Sequence, residues 1–139
     1  MANEAGDPFI GTWKMNPAKT KHAKGTAPQE QICTIVEAGS DQNMKVAGIA
    51  ADGTKTLIHY IISPNGGTGR MVESPLYDGV FGKRIGPNDW EMNYTKRGQA
   101  VYMARSRVSP DGMTLTVDSK GITALGQPVD ARFVYDKMV

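Results

Sequence analysis

Short runs of alternating apolar and polar residues recur along this chain, separated by turn-forming clusters, and no segment has both the period and the length of a helix. Phe9 to Met15 alternates between Pro8 and Asn16-Pro17. A polar connection follows from Ala18 to Gln29; it carries Gly25 and Pro28 and reads as a loop over one end of the domain, with room for a short helical turn. Gln31 to Glu37 and Met44 to Ala50 flank the turn Ala38-Gly39-Ser40-Asp41, and Asp52-Gly53 is a short-hairpin signal leading into Lys55 to Ile62. After Ser63-Pro64-Asn65-Gly66-Gly67 comes a weaker strand, Thr68 to Glu73, ended by Ser74-Pro75. Asp78 to Ile85, Trp90 to Lys96 and Ala100 to Val108 are joined by Gly86-Pro87-Asn88-Asp89 and Arg97-Gly98. Ser109-Pro110-Asp111-Gly112 leads into Met113 to Ser119, and a looser stretch with Gly121 and Gly126 into Val129 to Lys137.

Strands at this spacing, linked by short turns, predict a single all-β domain over residues 1–139: an antiparallel up-and-down β-barrel of about 8–10 strands. A meander of this length needs closure to remove its edges.

Composition narrows the function more than it names one. The chain of 139 residues is long enough to bury a core without staples. Its net charge is +2 and Lys and Arg are scattered, so charge gives no case for nucleic acid. Lys14, Lys19, Lys21 and Lys24 flank or sit in the long loop and read as solvated. The single Cys33 excludes an intramolecular disulfide; between Ile32 and Thr34-Ile35-Val36 it reads as a buried, inert thiol. No run approaches a transmembrane helix. The stretch Met1 to Asp7 is polar and acidic, unlike a signal peptide. The expectation is a cytoplasmic protein, or a secreted or periplasmic one whose leader has been removed; a homodimer stays open. His22 and His59 lack metal-ligand spacing, no Gly-rich loop opens a helix, and no Gly-x-Ser-x-Gly elbow is present, so no metal or other cofactor is expected and no catalytic signature stands out.

Candidate site residues follow from which side chains share a face. Trp90, Met92 and Tyr94 alternate with Glu91, Asn93 and Thr95; with Tyr60, Tyr77 and Tyr102 they would line a cavity suited to a flat hydrophobic or aromatic molecule. Arg105 shares the parity of Met103 and Arg107; it either reaches a ligand anion or faces solvent while Tyr102, Ala104 and Val108 face in. His59 is the one histidine in a predicted strand, and apolar residues occupy both faces of Leu57 to Ile62, so it is either a hydrogen-bonded structural group or a general base inside the cavity. Glu73 and Asp78 flank a predicted rim loop with Tyr77, as solvated turn groups or as acid/base partners of His59. The expected function is binding of a small hydrophobic or aromatic molecule; the alternative is a cofactor-independent lyase, isomerase, cyclase or decarboxylase using His59 with Glu73 or Asp78. A third alternative is a filled structural barrel.

The opening Pro8-Phe9-Ile10-Gly11-Thr12-Trp13-Lys14 resembles the Gly-x-Trp start of the calycins, which include lipocalins and fatty-acid-binding proteins, and Phe133-Val134-Tyr135-Asp136-Lys137 resembles the closing strand of the latter. Together with Lys83-Arg84-Ile85, the hairpin Ser109 to Val117 and Gly126-Gln127-Pro128-Val129, the chain is most similar to a group of small bacterial lipocalin-like proteins. The resemblance implies a ligand-holding barrel with Trp13 as a plug at its base, and Gly11 bending the first strand close to its neighbour. The fatty-acid clamp does not carry over: Phe133 stands where an inward Arg would be needed, and Arg132, one place off, belongs to the other face. Nor does the Ala18 to Gln29 loop match a helical lid.

Overall fold

A computed structural model of the chain describes residues 7–22, 27–123 and 126–138. Among these residues every regular element is a strand: β1 (Gly11–Met15), β2 (Glu30–Ala38), β3 (Asp41–Ile49), β4 (Lys55–Ile62), β5 (Gly66–Thr68), β6 (Arg70–Glu73), β7 (Gly79–Gly86), β8 (Asp89–Lys96), β9 (Gln99–Val108), β10 (Thr114–Ile122) and β11 (Pro128–Met138). They form one antiparallel 11-stranded sheet in the order β5-β7-β8-β9-β10-β11-β1-β2-β3-β4-β6. The two ends of that order, β5 and β6, are successive pieces of one stretch of chain, so the sheet curls round into a nearly closed barrel.

The expected strand Thr68 to Glu73 is therefore two strands, and the reason lies at Gly69. Thr68 pairs with Phe81 of β7, the Gly69 N–H reaches Val80 O at 2.9 Å, and from Arg70 onward the chain pairs with β4 instead, Arg70 opposite Ile61 and Met71 opposite Tyr60. A Cβ on residue 69 would stand 2.7 Å from Ile61 O and 3.0 Å from Val80 Cγ1, too close for any side chain. The seam of the barrel is a handover from one neighbour to the other through a residue without a side chain.

Strand alternation puts one set of residues inside. β4 turns Ile58, Tyr60 and Ile62 inward, β8 Trp90, Met92 and Tyr94, and β9 Tyr102, Ala104, Ser106 and Val108. β11 contributes Val129, Ala131, Phe133 and Tyr135, with Asp130 and Arg132 exposed between them. Arg132 pairs on the outside with Asp118, Nε to Oδ1 at 2.7 Å, while Phe133 is buried; the absence of a carboxylate clamp read from the sequence is what the strand parity produces.

One end of the barrel is sealed. Trp13 is fully buried and donates from its indole Nε1 to Phe9 O at 3.0 Å, with Lys137 Nζ 5.5 Å above the ring. Gly11, at φ 146°, lets Lys137 lie across the strand start, its Cε 3.0 Å from where a Cβ would be. Phe9 sits in a turn before β1 rather than in it, and meets Trp90 edge-on at 6.5 Å between ring centroids. Arg84 lies over both rings, and Asp7 grips its guanidinium with both carboxylate oxygens at 2.8 and 3.0 Å. Burial pulls the Asp7 carboxyl up, but Arg84, the Phe9 N–H and Gln42 together outweigh it and hold it below its ordinary value. This plug occupies the end at which β4 leaves and β8 begins.

The opposite end carries the long loop and the hairpin between β3 and β4. In the loop, Asn16 O accepts from Lys19 N and Thr20 N, and Lys21 exchanges backbone hydrogen bonds with Arg132 at 2.8 and 2.9 Å. Residues 23–26, which include Lys24 and Gly25, lie outside the described residues, and no helix occurs in the part of the loop that is described. Met1 to Gly6 also lie outside them.

Candidate functional site

The inward side chains do not fill the barrel. They enclose a cavity of about 450 Å³, within the roughly 300–1,000 Å³ typical of small-molecule sites. Phe9 and Trp90 form its floor; Ala51, Asp52, Gln127 and Pro128, all exposed, rim it at the other end. The filled-barrel alternative is corrected by this space.

The wall carries all 5 tyrosines of the chain: Tyr60, Tyr77, Tyr94, Tyr102 and Tyr135. Four of them form a contiguous cluster. Tyr94 stacks on Tyr102 at 5.3 Å between centroids, lies 4.9 Å from Tyr77, and meets Tyr60 edge-on at 5.5 Å. The Tyr60 and Tyr94 hydroxyls share a hydrogen bond at 3.2 Å, and the Tyr77 hydroxyl donates to Ile122 O at 2.6 Å, bridging the rim segment to β10. Across the cavity the Tyr135 hydroxyl donates to Gln31 Oε1 at 2.5 Å. Burial is the largest influence on every one of these phenols and holds each above its ordinary pKa, so they act as neutral hydrogen-bonding groups.

Other hydroxyl, amide and thiol groups complete the polar lining deeper in. Ser106, Ser119, Gln31 and the Cys33 thiol face the cavity, and burial pushes that thiol up to about 12, which keeps it protonated and inert. Ser119 Oγ is buried beside the Tyr102 phenol, yet it makes no hydrogen bond of ordinary geometry with any protein group. Among the described lining residues the carboxylate Asp52 sits at the exposed rim, and no lysine or arginine reaches the cavity. Arg84, the inward cation of β7, is taken up by Asp7 below the floor.

The five aromatic residues singled out from the sequence, Tyr60, Tyr77, Trp90, Tyr94 and Tyr102, thus stand together on the wall and floor. The four polar ones do not join them. His59 lies on the outer face of β4, where its Nε2 donates to Asn43 Oδ1, because Tyr60 beside it takes the inward position. Glu73 is opposite His59 across the β4–β6 pair but is exposed on that same outer face. Asp78 is exposed and accepts from the Arg97 backbone N–H at 2.8 Å. Arg105 sits between inward Ala104 and Ser106, points outward, and lies 3.9 Å from Asp89. Strand parity thus puts His59, Glu73 and Arg105 on the outer face, and Asp78, in the connection ahead of β7, is exposed.

Some lining residues escaped the sequence. Tyr135 was legible in the alternation of β11, and Gln31 and Cys33 in that of β2. His22 was not: it belongs to a loop without period, and only the backbone pairing of Lys21 with β11 brings its ring 5.5 Å from Phe133 and onto the wall. Among the described residues no group of three or more His, Cys, Asp or Glu could hold a metal ion, and no helix is long and apolar enough to cross a membrane. Compared with known proteins, the chain matches no protein-family model and no curated protein.

Proposed function

We propose that this chain is a lipocalin-like, calycin-type binding barrel that holds one small, flat, uncharged hydrophobic or aromatic molecule in its interior. The observation that carries this is the 450 Å³ cavity walled by all 5 tyrosines, with no lysine or arginine among its described lining residues. Aromatic walls favour a flat partner by edge and face contacts worth about 0.5–1.5 kcal/mol each beyond area burial. An anionic ligand would give up its hydration with nothing to pair it, a cost of several kcal/mol that the aromatic contacts would have to repay. That cost favours an uncharged ligand. The resemblance of Gly11-Thr12-Trp13 to the calycin opening supports the reading as a ligand-holding barrel. The enzyme alternative has less support, since the acid/base groups it named, His59, Glu73 and Asp78, do not line the cavity.

Titration with the neutral dye N-phenyl-1-naphthylamine tests this. The expected result is saturable fluorescence enhancement at one dye per chain. Ala104 is buried in the wall between Met92 and Ser119, so Ala104→Trp fills the cavity and should weaken the dye by tenfold or more while the circular dichroism stays β-type. His59→Ala and Arg105→Ala, on the outer face, should leave the affinity unchanged. Dye binding that is absent, or indifferent to Ala104→Trp, overturns the proposal.

A further inference from the structure

Two buried polar groups of the described residues lining the cavity lack a hydrogen-bond partner of ordinary geometry, Trp90 Nε1 in the floor and Ser119 Oγ in the wall, and Ser119 is the one beside a second hydroxyl. It stands on the inward face of β10 opposite Ala104, and only 2% of it is exposed. Its Oγ makes no hydrogen bond of ordinary geometry; the polar group near it is the Tyr102 phenol, whose rise through burial the Ser119 hydroxyl partly offsets. The other phenols of the wall are already engaged: Tyr60 with Tyr94, Tyr77 with Ile122 O, Tyr135 with Gln31. A purely hydrocarbon wall would serve a purely hydrocarbon ligand better, because a buried hydroxyl left unpaired opposes binding. A hydroxyl hydrogen rotates freely to meet an acceptor. The small Ala104 opposite leaves the space above Ser119 open for a ring to approach.

We infer that the ligand carries an uncharged oxygen acceptor, of the ketone, quinone or ether class, and that Ser119 Oγ, flanked by Tyr102, donates to it. This rests on the binding function proposed above. Ser119 is then the residue that sets specificity, while the tyrosine cluster supplies the bulk of the contact.

Three ligands of nearly one shape separate the possibilities: fluorene, 9-fluorenone and fluorene-9-carboxylate, each titrated into the full chain by following tyrosine and tryptophan fluorescence. The expected order is fluorenone about tenfold tighter than fluorene, the gain of one well-placed hydrogen bond, with the carboxylate weakest. Ser119→Ala should remove the fluorenone preference and leave fluorene within about twofold, so that fluorene binding reports the intact fold of the variant. Ser119→Thr, which keeps the hydroxyl, should keep the preference. Equal affinity for fluorene and fluorenone in the unaltered chain, or a preference that survives Ser119→Ala, overturns the role of Ser119 and leaves the binding barrel standing. If none of the three binds while N-phenyl-1-naphthylamine does, the inference fails and the binding barrel stands; if the dye does not bind either, both fail.

Discussion

Every tyrosine of the chain turns its ring toward one cavity, and that placement has a consequence in alkaline solution. Burial holds each of the phenols above its ordinary value, so folding binds protons that the unfolded chain releases. The associated stability is fully present below the unfolded tyrosine pKa of about 10 and is lost as pH rises from there toward the folded values. The expected outcome is that phenolate absorbance appears in one cooperative step together with loss of β-type circular dichroism, and that stability falls steadily above about pH 10. Phenolate forming at about pH 10 with the fold intact would contradict it. Tyr94 could be placed from sequence because it sits in a run with a clear inward parity, Trp90, Met92 and Tyr94 alternating with polar residues, whereas Tyr77 belongs to the connection between β6 and β7 and has no such period. His59 could not: Leu57, Ile58, Ile61 and Ile62 are apolar on both faces of β4, and the outer set is itself half-buried, so composition carries no phase.

At the scale of the element, turn chemistry and period fix where strands begin and end more readily than which strands meet. Asp52-Gly53 and Ser109 to Gly112 stand where the hairpins turn, and β2 to β4 and β7 to β10 lie close to their expected ranges. What the pattern did not carry is the split at Gly69, since nothing local records a change of pairing partner between Thr68 and Arg70. The close approach of Gly69 to Ile61 O and Val80 yields a prediction for urea denaturation. Gly69→Ala should cost about 2 kcal/mol, the range for forcing atoms into a packed site. Gly86→Ala, where an added Cβ meets nothing within 4 Å, should stay within about 0.5 kcal/mol. Equal costs at the two positions would mean that the seam is not tightly closed.

The barrel as a whole has unlike ends. The Trp13, Phe9, Trp90 and Arg84–Asp7 plug closes one, and among the described residues exposed ones rim the other, so the proposed function has the ligand enter from the loop side. The methionines report on both surfaces of its wall: Met44 and Met92 line the cavity, whereas Met103 and Met113 are exposed outside it. The most direct test of the central claim is therefore the ¹³C-methyl methionine spectrum of the full chain with and without N-phenyl-1-naphthylamine. Ring-current shifts at Met44 and Met92, with Met103 and Met113 unmoved, are the predicted result. Shifts confined to Met103 or Met113, or none at Met44 and Met92 at saturating dye, would contradict the claim that the barrel interior is the binding site.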